Sequence, residues 1–409
     1  MFRAFGAIAT FALVAGLVVA QDEIRRGTVK STDAAKGTVT ITVGGKDETF
    51  TVTGGTRVMG ADGKVIAKPF EDKGLSPGSA VMFKADKDGK GLVGLKFGAG
   101  NQPPAPKFDA SKLKPLTGMG TEKYQGHDGG LYAGGKNERP KEHDDAGLAL
   151  AKAIRPLAAD GKPANTGKVV MLAVGMSNAT QAFSTFKRTA DADKEKHPDL
   201  ILVDGAQGGM TAARIKDPND KASGTKYWEV VDQRLKAGGV TREQVQVAWI
   251  KQADAGPNQG FPKYAETLRD ELRQIVQAMH KRFPNLKIVY LSSRTYGGYA
   301  TTGLNPEPYA FESGFSVRWL IEEQTKGDKE LNFDPKKGDV KAPYLLWGPY
   351  LWANGTTKNS EGLAYEQSDY GNDGTHPSPA GQKKIAEHML KFFMSDATAK
   401  PWFMRPTKE

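Results

Sequence analysis

Cysteine is absent from all 409 residues, so the chain can form no disulfide, no thiolate metal site and no cysteine-linked lipid anchor. Histidine is scarce: the six present are scattered, and no pair has zinc-ligand spacing with a third ligand close by, so no metal is expected. No cofactor is expected either, because neither a phosphate loop nor a dinucleotide fingerprint occurs. Long apolar runs are also missing. Beyond the first twenty residues nothing approaches the ~20 apolar residues of a membrane span, so the mature chain is expected to be soluble, with no transmembrane segment. Basic blocks are missing too, although the formal charge is +10 and the pI near 9.3. Acidic residues are interspersed along the whole chain, which argues against a nucleic-acid partner. A mild attraction to an anionic cell-surface polymer accounts for the charge more economically.

What is present begins with a leader. Residues 1–20 carry one early arginine, an apolar core of about fourteen residues and Val18-Val19-Ala20 before Gln21, the pattern of a cleaved secretory signal. Export without disulfides fits a bacterial periplasm or exterior.

Residues 21–98 have a β texture. Gly37–Val43 and Glu48–Val52 alternate, Ala80–Lys84 and Leu92–Phe97 follow, and turns rich in Gly, Asp and Lys separate them. Five or so short strands in so few residues suggest a small all-β barrel, of the OB or the SH3-like kind. Its role stays open between binding a polymer or partner and serving as a spacer.

Residues 99–165 form a Pro- and Gly-containing linker and then a Gly-rich, aromatic-dotted stretch expected to wrap the following domain as an ordered apron. His127 and His143 in this region read as surface or hydrogen-bonding histidines. Asp144 or Asp145 can cap a helix carrying Leu148, Ala151, Ile154 and Leu157.

From residue 166 to 409 strands alternate with helices. Val169–Val174, Leu200–Val203, Val245–Ile250 and Lys287–Leu291 read as strands, with Tyr344–Trp347 as a fifth candidate. Leu268, Leu272, Ile275, Val276, Met279 and Phe283 repeat at helical spacing, and Ser313–Glu323 reads as a helix with Trp319 and Leu320 in the core. Such alternation predicts a parallel sheet covered on both faces. Ligands of such sheets bind beyond the carboxyl ends of the strands, where the first strand delivers Gly175-Met176-Ser177-Asn178. Near the other end of the chain, Asp373-Gly-Thr-His376 precedes an amphipathic helix with Ser378 and Pro379 at its start. A serine hydroxyl needs a neighbouring base, for which His376 is the natural candidate, and Asp373 can fold back to the other imidazole nitrogen. Donors for the developing oxyanion would be the backbone N–H groups of Ser177 and of Gly208 or Gly209, with the side-chain amide of Gln252. Asn178 is expected to bond neighbouring backbone and hold the turn.

Laid side by side, these stretches resemble the SGNH hydrolases, also called GDSL-like esterases, most closely their sialate O-acetylesterase and acetylxylan-esterase branch. Gly175, Ser177 and Asn178 match the first block; Val203-Asp-Gly-Ala-Gln-Gly-Gly-Met210 resembles the second, and Trp249-Ile-Lys-Gln252 the third. Asp373 and His376 match the fifth. Met176 stands where that branch usually has Gln, and Ala253 where it has Gly. The resemblance implies a three-layer α/β/α, flavodoxin-like domain acting through an acyl-serine intermediate on an ester, first among them an acylated carbohydrate. An acyltransferase with the same triad, or a non-catalytic glycan-binding protein on this fold, remain as alternatives. Between Thr295 and Tyr370 lies a segment rich in Tyr, Trp, Gly and Pro. It could line a sugar cleft, with Arg294 beside it and with Tyr296 and Trp347, or form buried packing.

Overall fold

The computed structural model describes residues 25–43, 45–60, 65–72, 75–97 and 108–406. The expected leader and the first part of the linker lie outside these residues. The chain divides into two compact units, one up to Gln102 and one from Pro103.

The first unit is all β. Its strands are β1 (Arg25–Asp33), β2 (Thr38–Val43), β3 (Lys46–Thr51), β4 (Arg57–Met59), β5 (Ala80–Ala85) and β6 (Leu92–Phe97). They pair in the order β3-β2-β1-β5-β6-β4, antiparallel except for β4 on β6. Alternate residues such as Val39, Ile41, Val81 and Phe83 point into one core with Phe50 and Leu95. An isolated bridge from Thr51 to Gly91 ties β3 to the β5–β6 turn; among the described residues β3 and β4 do not pair.

The second unit opens with α1 (Leu116–Met119), the two-residue strands β7 (Lys123–Tyr124) and β8 (His127–Asp128), and α2 (Lys141–Lys152). Then follow β9 (Val169–Gly175), α3 (Ser177–Ala192), β10 (Leu200–Asp204), α4 (Ala212–Ile215), α5 (Gly224–Ala237) and β11 (Val245–Lys251). The remainder is α6 (Lys263–Arg282), β12 (Ile288–Ser292), α7 (Tyr309–Thr325), β13 (Tyr344–Trp347), α8 (Pro379–Ser395) and α9 (Lys400–Phe403).

The sheet is parallel throughout, in the order β10-β9-β11-β12-β13. Numbered from β9, that is 2-1-3-4-5, the doubly wound order in which the switch point lies beside the first strand. Along β9, Val170, Leu172 and Val174 enter one core with α5, α6 and α7, while Val169, Met171 and Ala173 enter a second with α3 and α8. Every residue of β9 and β11 is buried, the condition for a sheet with helices on both faces.

The expectation for the helix before the sheet needs correction. Helix α2 starts at Lys141, before Asp144, and stops at Lys152, so Ile154 and Leu157 lie beyond it. The Leu157 backbone exchanges hydrogen bonds with Lys168 (3.0 and 2.8 Å), which takes it out of any helical ladder. The Gly-rich stretch is held down by buried side chains: Trp347 Nε1 donates to Leu131 O at 2.6 Å, and Tyr124 Oη donates to Glu312 Oε1 at 2.7 Å.

Candidate active site

The turn from β9 into α3 is tight. A Cβ on Gly175 would lie 2.4 Å from Ala179 Cβ and 2.5 Å from Lys251 O, so only glycine lets the strand leave the sheet here. Met176 stays extended, and Ser177 becomes the first residue of a sixteen-residue helix. The first N–H groups of a helix have no partner one turn back and point outward as the positive end of its dipole.

From the opposite end of the chain His376 meets this serine. Ser177 Oγ lies 2.6 Å from His376 Nε2, and His376 Nδ1 lies 2.5 Å from Asp373 Oδ2. The carboxylate can only accept at Nδ1, which leaves Nε2 to accept from the serine hydroxyl. Asp373 Oδ1 accepts from the backbone N–H groups of Thr375 and His376, each at 3.0 Å, so aspartate and histidine form one locally closed unit. Burial by itself would raise the Asp373 carboxyl. The His376 hydrogen bond, the imidazole charge and the two backbone donors outweigh it and hold the group well below the usual carboxylate range.

The histidine loop is fixed at both ends. Gly374 has φ +62°, and a Cβ on it would lie 1.7 Å from Tyr299 O, so this loop rests directly on the loop after β12. After His376, Ser378 Oγ accepts from Gly381 N at 3.3 Å and caps α8, with Pro379 as its first residue.

The loop after β10 lies against the serine. A Cβ on Gly208 would be 3.8 Å from Ser177 Cβ, and Gln207 N donates to Gly175 O at 3.0 Å. Gly208 and Gly209 are both exposed, and Gly209 takes the left-handed conformation with φ +75°. Gln252 is buried; its Nε2 donates to Met210 O at 3.0 Å and its Oε1 accepts from Ala253 N at 3.2 Å. One of its two amide N–H groups is therefore committed to stitching the β11 loop to the β10 loop. Ala212 N to Ala253 O (3.2 Å) and Ala213 N to Asp254 Oδ1 (3.0 Å) complete that seam.

Asn178 departs from expectation. Its Oδ1 accepts from Lys251 Nζ at 3.2 Å, not from neighbouring backbone, and both residues are buried. Burial, with the Arg294 charge adding to it, pushes the Lys251 amine well below its usual value. Lys251 has no motif to announce it; its only signal is a charged residue closing a mostly apolar strand.

The expected cleft residues separate. Trp347 is core, 2% exposed, with its indole N–H committed to Leu131 O. Arg294 is 3% exposed; its Nε and Nη1 meet no acceptor, and it lies within electrostatic reach of Lys251, Glu307 and Asp373. Its bulk is thus spent under the site and not on a cleft wall. Tyr296 is half-buried, edge-on to Tyr299 at 5.0 Å. Neither expected bystander histidine joins the triad: His143 is buried, bonded to Leu345 O at 2.8 Å and pushed down to about 4 by burial, while His127 packs on Phe261 and Trp319.

No family model matches the chain, and no curated protein does. Among solved structures, a lipase from a goat rumen metagenome is similar at 12% identity and TM-score 0.34, over 55% of this chain and 97% of that one. The periplasmic domain of a lipopolysaccharide acetyltransferase from Salmonella ser. Paratyphi A follows at 13% and 0.31, over 61% and 95%. A salicylyl-acyltransferase from a tetracycline biosynthetic pathway matches at 13% and 0.29, over 57% and 56%. Likenesses at these TM-scores do not define the fold, which rests on the parallel strand order and the two cores described above.

Proposed function

We propose that the second unit is an SGNH-type serine esterase, and the observation that carries this reading is the unbroken chain Ser177–His376–Asp373. His376 takes the Ser177 proton as Oγ attacks the ester carbonyl, and Asp373 stabilises the imidazolium that results. Charge then develops on the carbonyl oxygen. The donors assigned to it are the Ser177 N–H at the start of α3, an N–H of the Gly208-Gly209 turn and the second Gln252 N–H. Collapse of the tetrahedral adduct breaks the bond to the alcohol, which leaves with the proton held by His376. Water, deprotonated by the same imidazole, releases the acid from the acyl-serine; a sugar hydroxyl in place of water would make the enzyme an acyltransferase.

An O-acetylated or otherwise acylated carbohydrate is the substrate class we favour. Exposed Gly208 and Gly209 beside the serine leave room for an acyl group carried on a bulky chain. The leader-like first twenty residues support an activity outside the cytoplasm, and the positive charge suits an anionic cell-surface polymer.

The test is release of acetate from an aryl acetate and from acetylated xylan by the full chain, beside Ser177→Ala and His376→Ala. Turnover of both substrates that disappears in both variants supports the reading. Turnover of the aryl ester alone removes the carbohydrate assignment, and inactivity of the folded wild type on both removes the esterase.

A further inference from the structure

On the flank of the second unit a cleft of about 440 Å³ opens between the β7–β8 turn and helices α6 and α7. None of the triad-bearing loops lines it. Its size falls in the range of small-ligand sites.

Trp319, expected to be core, is only partly buried and lines this cleft; it is backed by Phe261 and Phe315 (ring centroids 5.7 Å each) and flanked by His127 at 5.1 Å. Around it stand charged side chains that already hold one another. Lys123 pairs with Asp128 (3.4 Å), Arg269 with Glu323 (3.1 Å) and Lys326 with Glu322 (2.6 Å). With Arg318 and Glu266 the lining has four cations and four anions, a formal charge of zero, so the cleft selects for neither an anion nor a cation. Arg318 is 5% exposed; its Nη1 donates to Asp128 O, but its buried Nε has no acceptor.

A partly open indole ringed by hydrogen-bonding groups, most of them already paired, suits one kind of molecule. Its faces must be apolar C–H surfaces, its rim must offer many hydroxyl donors and acceptors, and it must carry no net charge. We infer that the Trp319–Arg318 cleft binds a neutral saccharide unit, separately from the triad. Ion pairs that fix the ring of polar groups in advance reduce the ordering cost of binding. This inference does not depend on Ser177 being a nucleophile, since a glycan-binding protein would use the cleft equally well.

The experiment is gel retardation of the full chain by three uncharged polymers, arabinoxylan, galactomannan and mixed-linkage β-glucan, with heparin as the anionic control. Wild type and Ser177→Ala are expected to be retarded alike by at least one neutral polymer. Trp319→Ala should weaken that binding at least tenfold. Trp319 contacts neighbouring rings, so Glu266→Arg, a change at the rim, provides the second variant; it should weaken binding similarly at unchanged melting temperature. Aryl acetate hydrolysis should be the same in both variants as in wild type, which separates this site from the triad. Lack of retardation by all three polymers overturns the inference, as does wild-type binding in both variants, or Trp319-dependent binding of heparin alone.

Discussion

Lys251 Nζ donates to Asn178 Oδ1 across 3.2 Å, so the last residue of β11 holds the residue that follows the nucleophile. An apolar replacement, Lys251→Met, leaves Asn178 Oδ1 buried without its donor, at a cost of roughly 1–3 kcal/mol. The first turn of α3 should loosen, and kcat on an aryl acetate should fall about tenfold or more with KM little changed. The pH dependence has a definite sign. The unfolded lysine binds a proton below about pH 10.4. The folded amine does so only at lower pH, because burial and then Arg294 oppose its charge. Between those two points the unfolded state holds more protons, so wild-type stability declines as pH falls. The melting temperature of the wild type should lie above that of Lys251→Met at high pH, where the hydrogen bond acts without a protonation penalty, and the gap should narrow as pH falls through that range.

Asp373→Asn removes the acceptor that fixes the imidazole tautomer, and should lower kcat by about 10³–10⁴ while the chain still folds. Because the folded carboxyl is held below its unfolded value, it contributes stability above about pH 4 that is lost as pH falls further. The variant should therefore lose less stability on acidification than the wild type, read by melting temperature from pH 6 to 3.

Glu312 titrates in the opposite sense. Burial pushes its carboxyl up to about 7, outweighing the Tyr124 hydrogen bond that opposes the shift, and the Glu307 charge adds to it. Its stabilising contribution is complete below the unfolded value near 4.3 and is lost as pH rises through about 7. Glu312→Gln keeps an acceptor for Tyr124 and should flatten the decline in melting temperature between pH 5 and 8.

Gly374→Ala asks for a Cβ 1.7 Å from Tyr299 O at a residue with φ +62°. Left-handed strain alone costs of order 1–3 kcal/mol, and the clash adds to it. Since the neighbours of Gly374 are Asp373 and Thr375, with His376 next, activity should fall far more than the loss of stability would explain. Comparison of kcat with denaturant midpoints checks this.

Sequence reveals the parts whose signal is local. The apolar run from Val169 ends in a glycine, and Asp373 and His376 are close enough in sequence to bond each other; both could be read directly. Five parallel strands follow from alternation, although strand order does not, because pairing partners are distant in the chain. Helix α5 has no clear start signal in the sequence, although Tyr227, Trp228, Val231 and Leu235 are all buried at helical spacing. Glycine, lysine and threonine around its start hid its beginning. Lys251, Arg294 and Gln252 show what spacing cannot supply. Each has the chemistry of a substrate-facing residue, yet each is buried, and its burial depends on which loops the sheet brings together. Trp319 errs the other way, since its helical spacing said core while the β7–β8 turn leaves part of it open.

The most direct test of the central claim is intact-mass analysis of the full chain after a fluorophosphonate, with peptide mapping of the modified residue. One phosphonyl group on Ser177 is expected in the wild type, with loss of labelling in Ser177→Ala and slowing by several orders of magnitude in His376→Ala. A folded wild type that stays unmodified, or that is labelled equally fast without His376, would contradict an activated serine at this site.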